Sequence, residues 1–431
     1  MVERYFGLAA LGSTPRREGL AGLATFMTMA YIIVVNPAMM ADAGIDAGAA
    51  FVATCLSAAI GSALMGFWAR MPVAMAPGMG LNAYFAYTVV AGMGMPWQVA
   101  LGAVFLSGLL FFLVSLTRFR EWLIVAIPLS MKLGIGAGIG LFLGLLGLRG
   151  MGIVVDSPAT LVTLGSLSAP ATLLSCLGFL LMAGLVARGI SAGIVIGILV
   201  VAALGIPLGL TELRGIVAWP PSLAPSFFQL DIWGALTLPG MPAVVFTFFL
   251  LTLLDDAGTL IATTHRAGLM RPDGTVPGLG RALQANSGGA VIGAVLGTST
   301  AVPYIESAAG IQAGGRSGLT ALAVAALFLL ALFFAPLATS IPAFATAPAL
   351  LLVAGMMAQS LRDLDWDDIT EYLPAMITAL AMPFTFSIST GVGLGFIVYV
   401  VLKLATGRVA QVNGAVWVLA ALSLLEFALH G

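Results

Sequence analysis

Residues Pro242–Ala262 read PAVVFTFFLLTLLDDAGTLIA, an apolar run that carries two adjacent carboxylates, Asp255 and Asp256. A membrane-spanning helix needs about 20 apolar residues, so this run is long enough to cross a bilayer. An ionisable group at membrane depth costs about 3 kcal/mol or more unless it is paired or hydrated, and it usually marks the path of a substrate or a proton. A third carboxylate, Glu306, lies in the apolar segment AVPYIESAAG. We therefore expect a membrane transporter whose site is built around these three acids.

The composition supports a membrane environment. Of 431 residues, 60% are hydrophobic and only 8% are charged, whereas a soluble domain carries about 25% charged residues. Lipid is therefore an expected partner, and the net charge of -1 argues against a nucleic-acid partner. The start of the chain has Glu3 early and no charged leader followed by a cleavage site, so no removed signal peptide is predicted.

Fourteen apolar runs are long enough, or nearly long enough, to span a bilayer. They fall at residues 19–40, 49–67, 72–90, 97–116, 125–148, 168–187, 189–206, 239–262, 281–297, 300–314, 316–338, 342–360, 371–387 and 388–405. A further apolar run, 411–429, is either a fifteenth span or an interfacial helix. The sequence predicts an all-α polytopic membrane protein with about 14 transmembrane spans.

The basic residues test this count, because cytoplasmic loops are enriched in Lys and Arg. With a cytoplasmic N-terminus, the spans place on the cytoplasmic side Arg4, Arg16, Arg17, Arg70, Arg118, Arg120, Arg188, Arg266, Arg271, Arg281, Arg316, Arg362, Lys403 and Arg408. Only Arg149 and Arg214 fall outside, and Lys132 falls within the fifth span. We expect a multi-pass protein of the cell (inner) membrane whose N-terminus is cytoplasmic.

Seven spans followed by seven spans suggest an internal repeat. The segment that begins at Ile127 resembles the one that begins at Ile341, and the interrupted third span has a counterpart in the interrupted tenth. Because each repeat has an odd number of spans, the two run in opposite directions. The predicted division is a first inverted repeat (1–206), an extracytoplasmic connecting segment (207–238), a second inverted repeat (239–405) and a C-terminal hydrophobic segment (406–431).

The two interrupted spans point to the binding site. Pro77 and Pro303 prevent a continuous helix, and extended backbone at membrane depth is tolerated only beside a cavity. New helices are expected to start near Asn82 and Glu306, so that two helix N-termini offer N–H donors to a ligand. Because the nearby fixed charges are negative, the pocket suits a flat, neutral, polar ligand with N–H and C=O groups or ring nitrogens on its edge.

The eighth span adds the remaining acids. Asp255 and Thr259 are four residues apart and share a helix face, while Asp256 is turned about 100° away. We predict Asp255 for the substrate face and Asp256 either for support behind the substrate-binding residues or for a proton path, and the alternative for Asp256 is a simple hydrogen bond to a neighbouring helix. The predicted proton-coupling residues are Asp255 and Asp256 of this span and Glu306 of the tenth. No metal site, cofactor or catalytic residue is predicted.

Five motifs resemble a known family. They are LATFMTMAYIIVVNPAMM (23–40), APGMGLNAYFAYTVV (76–90), LLDDAGTLIATT (253–264), GTSTAVPYIESAAGIQAGGRSGLTAL (297–322) and IPAFATAPALL (341–351). In this order they are similar to the AzgA subfamily of purine permeases, within the xanthine/uracil permease and nucleobase–ascorbate transporter superfamily. The resemblance extends from about residue 4 to residue 429.

The resemblance implies proton-coupled uptake of adenine, guanine or hypoxanthine by alternating access. The implied fold has two inverted seven-helix repeats, a core domain that moves against a gate domain, and a short strand in the third and tenth spans. A homodimer is implied by the superfamily. The substrate-binding residues that it implies are Asp255, Glu306 and Asn82, with Thr259, Tyr304 and Ile305 as neighbours and Ser307 at the same helix start as Glu306.

Two positions depart from the family pattern. The eighth span usually has Asp-Thr or Asp-Ser, where this chain has Asp255-Asp256. A run of threonines usually precedes the tyrosine, where residues 300–303 read TAVP. Both changes alter the pocket, so another nucleobase (xanthine, uracil or cytosine) or a related neutral heterocycle is the alternative substrate.

Two other classes of protein are weaker alternatives. An intramembrane aspartyl protease needs aspartates on facing helices, but Asp255 and Asp256 are adjacent and no Gly-x-Gly-Asp motif occurs. An anion exchanger of the same fold needs basic residues at the half-helix ends, where only Lys132 and loop arginines are available. Protons are favoured over sodium as the coupling ion because the site offers isolated carboxyls and no evident cage of carbonyl groups.

Overall fold

The computed structural model describes residues 2–117, 127–158, 160–266 and 278–430, apart from some side chains within these ranges. Its α-helices are α1 (Val2–Phe6), α2 (Pro15–Met29), α3 (Ile32–Asp42), α4 (Ala47–Leu64), α5 (Met79–Ala83), α6 (Trp97–Ser115), α7 (Leu129–Gly150), α8 (Pro170–Ala187), α9 (Gly193–Gly205), α10 (Ile232–Thr237), α11 (Met241–Arg266), α12 (Leu279–Leu296), α13 (Ser307–Gln312), α14 (Gly318–Ala331), α15 (Ala335–Thr339), α16 (Ala343–Ala358), α17 (Ile369–Thr385), α18 (Ile388–Ala405) and α19 (Gly414–His430). Its strands are β1 (Met75–Pro77), β2 (Val154–Ser157), β3 (Leu161–Leu164) and β4 (Ala301–Pro303). Short π-helical segments extend α4 (Met65–Ala69) and α5 (Tyr84–Gly92).

The helical, polytopic membrane character is confirmed. Within the described ranges, eight helical segments are long and apolar enough to cross a membrane, and three shorter helices are also apolar. The first segment contains a turn at Ala30 and Tyr31, which separates α2 from α3. The apolar run 411–429 forms α19.

The third and tenth predicted spans are each a strand followed by a half-helix. Strands β1 and β4 are fully buried and pair antiparallel, with Ala76 opposite Val302. Pro77 and Pro303 stand at the ends of the strands, where proline removes a backbone donor and stops the helix from continuing. Because the strands are antiparallel, the half-helices α5 and α13 leave the pair in opposite directions.

The remaining helices pack into two sets around this strand pair. The first helix group contains α2–α6 and α10–α15, and the second helix group contains α7–α9 and α16–α19. Small residues allow close approach within a group: a Cβ on Gly66 of the α4 extension would lie only 2.7 Å from the carbonyl oxygen of Gly318 on α14. The groups meet through α2 with α9, α3 with α16 and α5 with α7.

The connecting segment 207–238 lies across the first helix group. The backbone N–H of Phe228 donates to the Val295 carbonyl at the end of α12, and the N–H of Asp231 donates to Gln98 at the start of α6. Earlier in the segment, the backbone N–H of Arg214 donates to the hydroxyl of Ser340, which follows α15. These bonds fasten the connecting segment to one end of the first helix group.

The hairpin β2–β3 is a difference from the all-α prediction. It follows α7, and Val154 pairs with Leu164 at its base. Each strand carries two adjacent β-branched residues, Val154-Val155 in VVDS and Val162-Thr163 in LVTL, and such residues favour extended backbone. At four residues each, they are too short to stand out in a sequence dominated by long apolar helices.

Candidate functional site

A cavity of about 690 Å³ separates the two helix groups at the strand pair. The first helix group contributes α2, the strand-to-helix turns and α13, and the second contributes the α8–α9 turn and the end of α16. The residues along the cavity wall are Thr28, Tyr31, Gly78, Met79, Gly80, Val186, Gly189, Ile190, Ser191, Ile194, Thr259, Val302, Pro303, Tyr304, Ile305, Glu306, Ala308, Ala309, Gln312, Val353, Met356, Met357, Gln359 and Ser360. Its mouth is formed by the exposed turn Gly189–Ser191 and by Gln359.

Glu306 is the one charged residue among the described side chains of this wall. It stands immediately before α13, at the N-terminus of the half-helix, as the sequence predicted. Its Oε1 accepts a hydrogen bond of 2.7 Å from the Tyr31 hydroxyl. The Thr28 hydroxyl lies 3.3 Å from the Glu306 carbonyl oxygen, while its shorter bond, of 2.7 Å, goes to the Thr25 carbonyl of its own helix. The first span therefore contacts both the side chain and the backbone of Glu306.

Three other predicted residues also line the cavity. Tyr304 donates its hydroxyl hydrogen to the Pro77 carbonyl at 2.6 Å, which ties β4 to the end of β1. Ile305 is 39% exposed at the turn before the half-helix, and Thr259 faces the cavity from α11. The structure thus brings Glu306, Tyr304, Ile305 and Thr259 together, although they come from two different spans.

Asn82 and Ser307 lie elsewhere in this conformation. Asn82 is fully buried, and its Oδ1 accepts a hydrogen bond from the Ser299 hydroxyl. The Ser307 hydroxyl accepts a hydrogen bond of 3.0 Å from the backbone N–H of Ala74. Neither forms part of the cavity wall, because the half-helices turn these positions toward the strand pair. Their predicted contacts with a substrate remain predictions.

The aspartates of the eighth span are placed only by their backbone. Helix α11 runs without a break through positions 255–259, so Asp255 precedes the cavity-lining Thr259 by one helical turn. The side chains of Asp255 and Asp256 lie outside the described part of the structure.

The aromatic side chains of the family motifs include some that line the cavity and some that pack elsewhere. Tyr304 lines the cavity, whereas Phe26 packs edge-on against Phe328 and Tyr84 against Phe248. Phe85 is fully buried.

Two wall residues that the sequence did not predict are Tyr31 and Thr28. Both lie in the first span, in the segment TFMTMAYII, and the available signal was a hydroxyl group within an otherwise apolar run. Their partner is 275 residues away for Tyr31 and 278 for Thr28, so no local pattern could have assigned it.

A buried polar cluster lies behind the strand pair. The side-chain amide of Asn36 donates to the hydroxyls of Thr54 (2.6 Å) and Thr298 (2.9 Å), and all three residues are fully buried. These bonds fasten the first span to the second and to the start of the tenth. Within the described ranges, no group of three His, Cys, Asp or Glu side chains is arranged to hold a metal ion.

Solved structures with this arrangement are membrane transporters. The transmembrane domain of the cyanobacterial bicarbonate transporter BicA superposes with a TM-score of 0.67 over 88% of this chain and 97% of that domain, at 17% identity. At this level of identity the likeness establishes the fold alone, which is that of a helical, polytopic membrane protein.

The chain belongs to the xanthine/uracil permease family, whose model, described as a permease family, matches residues 16–394. It is 46% identical to the adenine permease AdeP of Escherichia coli over 99% of this chain and 96% of AdeP. It is 43% identical to the guanine/hypoxanthine permease PbuG of Bacillus subtilis, over 99% of both chains. The protein is therefore a transporter and not an enzyme, and the aspartyl protease alternative is excluded.

Proposed function

We propose that the protein is a secondary active transporter that takes up a purine nucleobase by proton symport. The observation that carries the proposal is the position of Glu306, a carboxylate at a half-helix start, in the wall of a cavity between two helix groups. A transporter needs a polar site that both sides of the membrane can reach in turn, and the interface between two packed units provides one.

The chemistry of the wall favours a neutral base. The described wall offers the Glu306 carboxylate as an acceptor and the Thr28 and Thr259 hydroxyls as donors or acceptors, but no Lys or Arg side chain. A purine presents N–H donors and ring-nitrogen acceptors along one plane, which match these groups. An anion would meet the carboxylate with no positive side chain opposite. The names of AdeP and PbuG, which indicate adenine and guanine or hypoxanthine, support the same class of substrate.

Alternating access is proposed to use the two helix groups as core and gate. The first helix group, with the strand pair and Glu306, would be the core, and the second would be the gate. This division fits two inverted seven-span repeats and about 14 spans. The cavity mouth lies beside Arg188 at the end of α8, and the predicted cytoplasmic side carries most of the basic residues. We therefore assign the mouth and the N-terminus to the cytoplasm, and the conformation to the inward-open state in the cell membrane.

Proton coupling is assigned to the acids of the site. Glu306 lines the cavity, and Asp255 precedes Thr259 by one turn on α11. A carboxylate that takes up a proton changes from a pure acceptor into a donor, so protonation and binding of the base become linked. Asp256, on the next position of the helix, would serve the proton path.

The test is uptake of radiolabelled adenine by cells that lack their own purine carriers. Saturable uptake should be blocked by unlabelled purines and should be lost in Glu306→Gln and in Asp255→Asn. Glu212→Gln is the matched control, since Glu212 is exposed in the connecting segment. Competition with xanthine, uracil and cytosine ranks the alternative substrates. If correctly inserted wild type takes up none of these bases, the proposed substrate class is wrong.

The coupling ion is tested in proteoliposomes that contain a pH-sensitive dye. Addition of the accepted base should acidify the lumen in the absence of sodium, and this signal should vanish in Glu306→Gln. Uptake that requires a sodium gradient and moves no protons would refute the symport proposal while leaving the substrate intact. The sedimentation of the purified protein in detergent would test the expected homodimer.

A further inference from the structure

Tyr31 is a phenol placed beside the proposed substrate carboxylate by a break in the first span. It occupies the turn between α2 and α3, is only 1% exposed, and donates its hydroxyl hydrogen to Oε1 of Glu306 at 2.7 Å. One turn earlier, the Thr28 hydroxyl lies 3.3 Å from the carbonyl oxygen of the same residue, while its shorter bond, of 2.7 Å, goes to the Thr25 carbonyl. Two side chains at the break in the helix therefore contact a single residue of the tenth span, and the bond from Tyr31 is the strong one.

We infer that Tyr31 is a positioning residue for Glu306: its hydroxyl fixes the orientation in which the carboxylate meets the base. The inference rests on the proposed function, because it assigns a role to the same site. A glutamate side chain has three rotatable bonds, and its terminal torsion is broad. A hydrogen bond from a buried phenol to one carboxylate oxygen removes most of that freedom before the base arrives. The conformational entropy of the side chain is therefore not lost in the binding step.

The surroundings make the phenol suited to this role. A hydrogen bond to an ionised group is shorter and about twice as strong as a neutral one. Among the described side chains of the wall, the other ionisable group beside Glu306 is Tyr304, whose hydroxyl donates to the Pro77 carbonyl, and the backbone of α11 carries positions 255 and 256 one turn before Thr259. The Tyr304 hydroxyl is bound to the strand pair, whereas the Tyr31 hydroxyl is bound to the Glu306 carboxylate.

The ring of Tyr31 also forms a wall. On its other side lies a second, apolar cavity of about 290 Å³, bounded by α2, α3, α9, α14 and α15, with Phe26, Ile198 and Leu327 among its lining. Tyr31 lines both cavities. A small residue at this position would join them, so the informative substitution keeps the ring and removes only the oxygen.

The experiment compares uptake kinetics of Tyr31→Phe and Tyr87→Phe in the full-length protein. Tyr87 also donates its hydroxyl hydrogen to a carboxylate at 2.7 Å, that of Asp42, but it does not line the cavity. The two variants thus lose the same atom and the same kind of bond. We expect Tyr31→Phe to raise KM for the accepted base about tenfold, with Vmax within about twofold of wild type, since one charge-assisted hydrogen bond no longer orders the site. Tyr87→Phe should keep the wild-type KM.

A KM of Tyr31→Phe equal to wild type would overturn the inference, and so would a loss of Vmax alone at unchanged KM, which would indicate a structural or conformational role. Base-induced thermal stabilisation of the purified variants gives the same comparison without transport, and should weaken only in Tyr31→Phe. Absence of uptake by wild type would instead refute the proposed function, so the two failures are distinguishable.

Discussion

Gly310 sets the distance between the half-helix that follows Glu306 and the first span. It lies on α13, one turn after Glu306, and a Cβ at this position would lie 2.5 Å from the Ala21 carbonyl oxygen and still closer to the hydroxyl of Thr25. Ordinary contact begins at 3.4 Å, so Gly310→Ala must push α13 from α2 by about 0.9 Å, and overpacking of this kind costs about 1–3 kcal/mol. The Thr28 hydroxyl already lies 3.3 Å from the Glu306 carbonyl oxygen and has a closer acceptor in Thr25, so this contact should be lost.

We expect Gly310→Ala to lower the melting temperature of the purified protein and to raise KM for the base in the uptake assay. Gly355→Ala is the matched control, because Gly355 is also helical but an alanine methyl group there would have no neighbouring atom within 4 Å, and it should behave as wild type. The packing argument is refuted if Gly310→Ala melts at the wild-type temperature and transports with an unchanged KM.

Further predictions concern charged groups near the ends of the second helix group. Lys403 is 1% exposed and pairs with Glu371 at 2.6 Å, so Lys403→Met should destabilise the fold by about 1–3 kcal/mol, because the Glu371 carboxylate keeps the hydrogen bond from Ser130 but loses its cation. Adding Glu371→Gln should restore most of the loss in a thermal melt, and additive losses would contradict this account. Hydrogen bonds from Thr370, with the pairing to Arg408, hold the pKa of Asp368 below its usual range. A lowered folded-state pKa stabilises the protein above the unfolded value of about 3.9, and this stabilisation is lost as the pH falls through the folded-state value. Asp368→Asn should therefore lower the melting temperature at pH 7, by an amount that shrinks below about pH 4; a difference that is constant with pH would refute this.

The sequence predicted the elements that depend on local chemistry. The apolar runs predicted the membrane helices, because a helix satisfies its backbone hydrogen bonds within lipid. Pro77 and Pro303 predicted the two interrupted spans, because proline removes a backbone donor from a helix. The position of Glu306 at a half-helix start was predicted for the same reason. The short hairpin at Val154–Leu164 was not predicted, since each strand is only four residues long and shows no alternation of apolar and polar residues.

Contacts between distant segments could not be predicted. The sequence shows Tyr31 only as an aromatic residue in an apolar run, and its bond to Glu306 depends on how the first span packs against α13. The direction in which a half-helix turns Asn82 is likewise set by packing, which is why a residue expected in the pocket lies against Ser299. Periodicity identifies a face of a helix, but the neighbour of that face is decided by the tertiary fold.

The pairing of β1 with β4 also constrains the order of events during synthesis. Strand β1 cannot bond its backbone to β4 until the ribosome has made about 225 further residues, which takes roughly 10–45 s. Unpaired N–H and C=O groups are costly in hydrocarbon, so lipid cannot be their neighbour during this interval. The third span must wait in the insertion machinery, at the aqueous interface or against earlier helices until Ala301–Pro303 arrives. Membrane insertion of this chain is therefore completed late, when β4 pairs with β1.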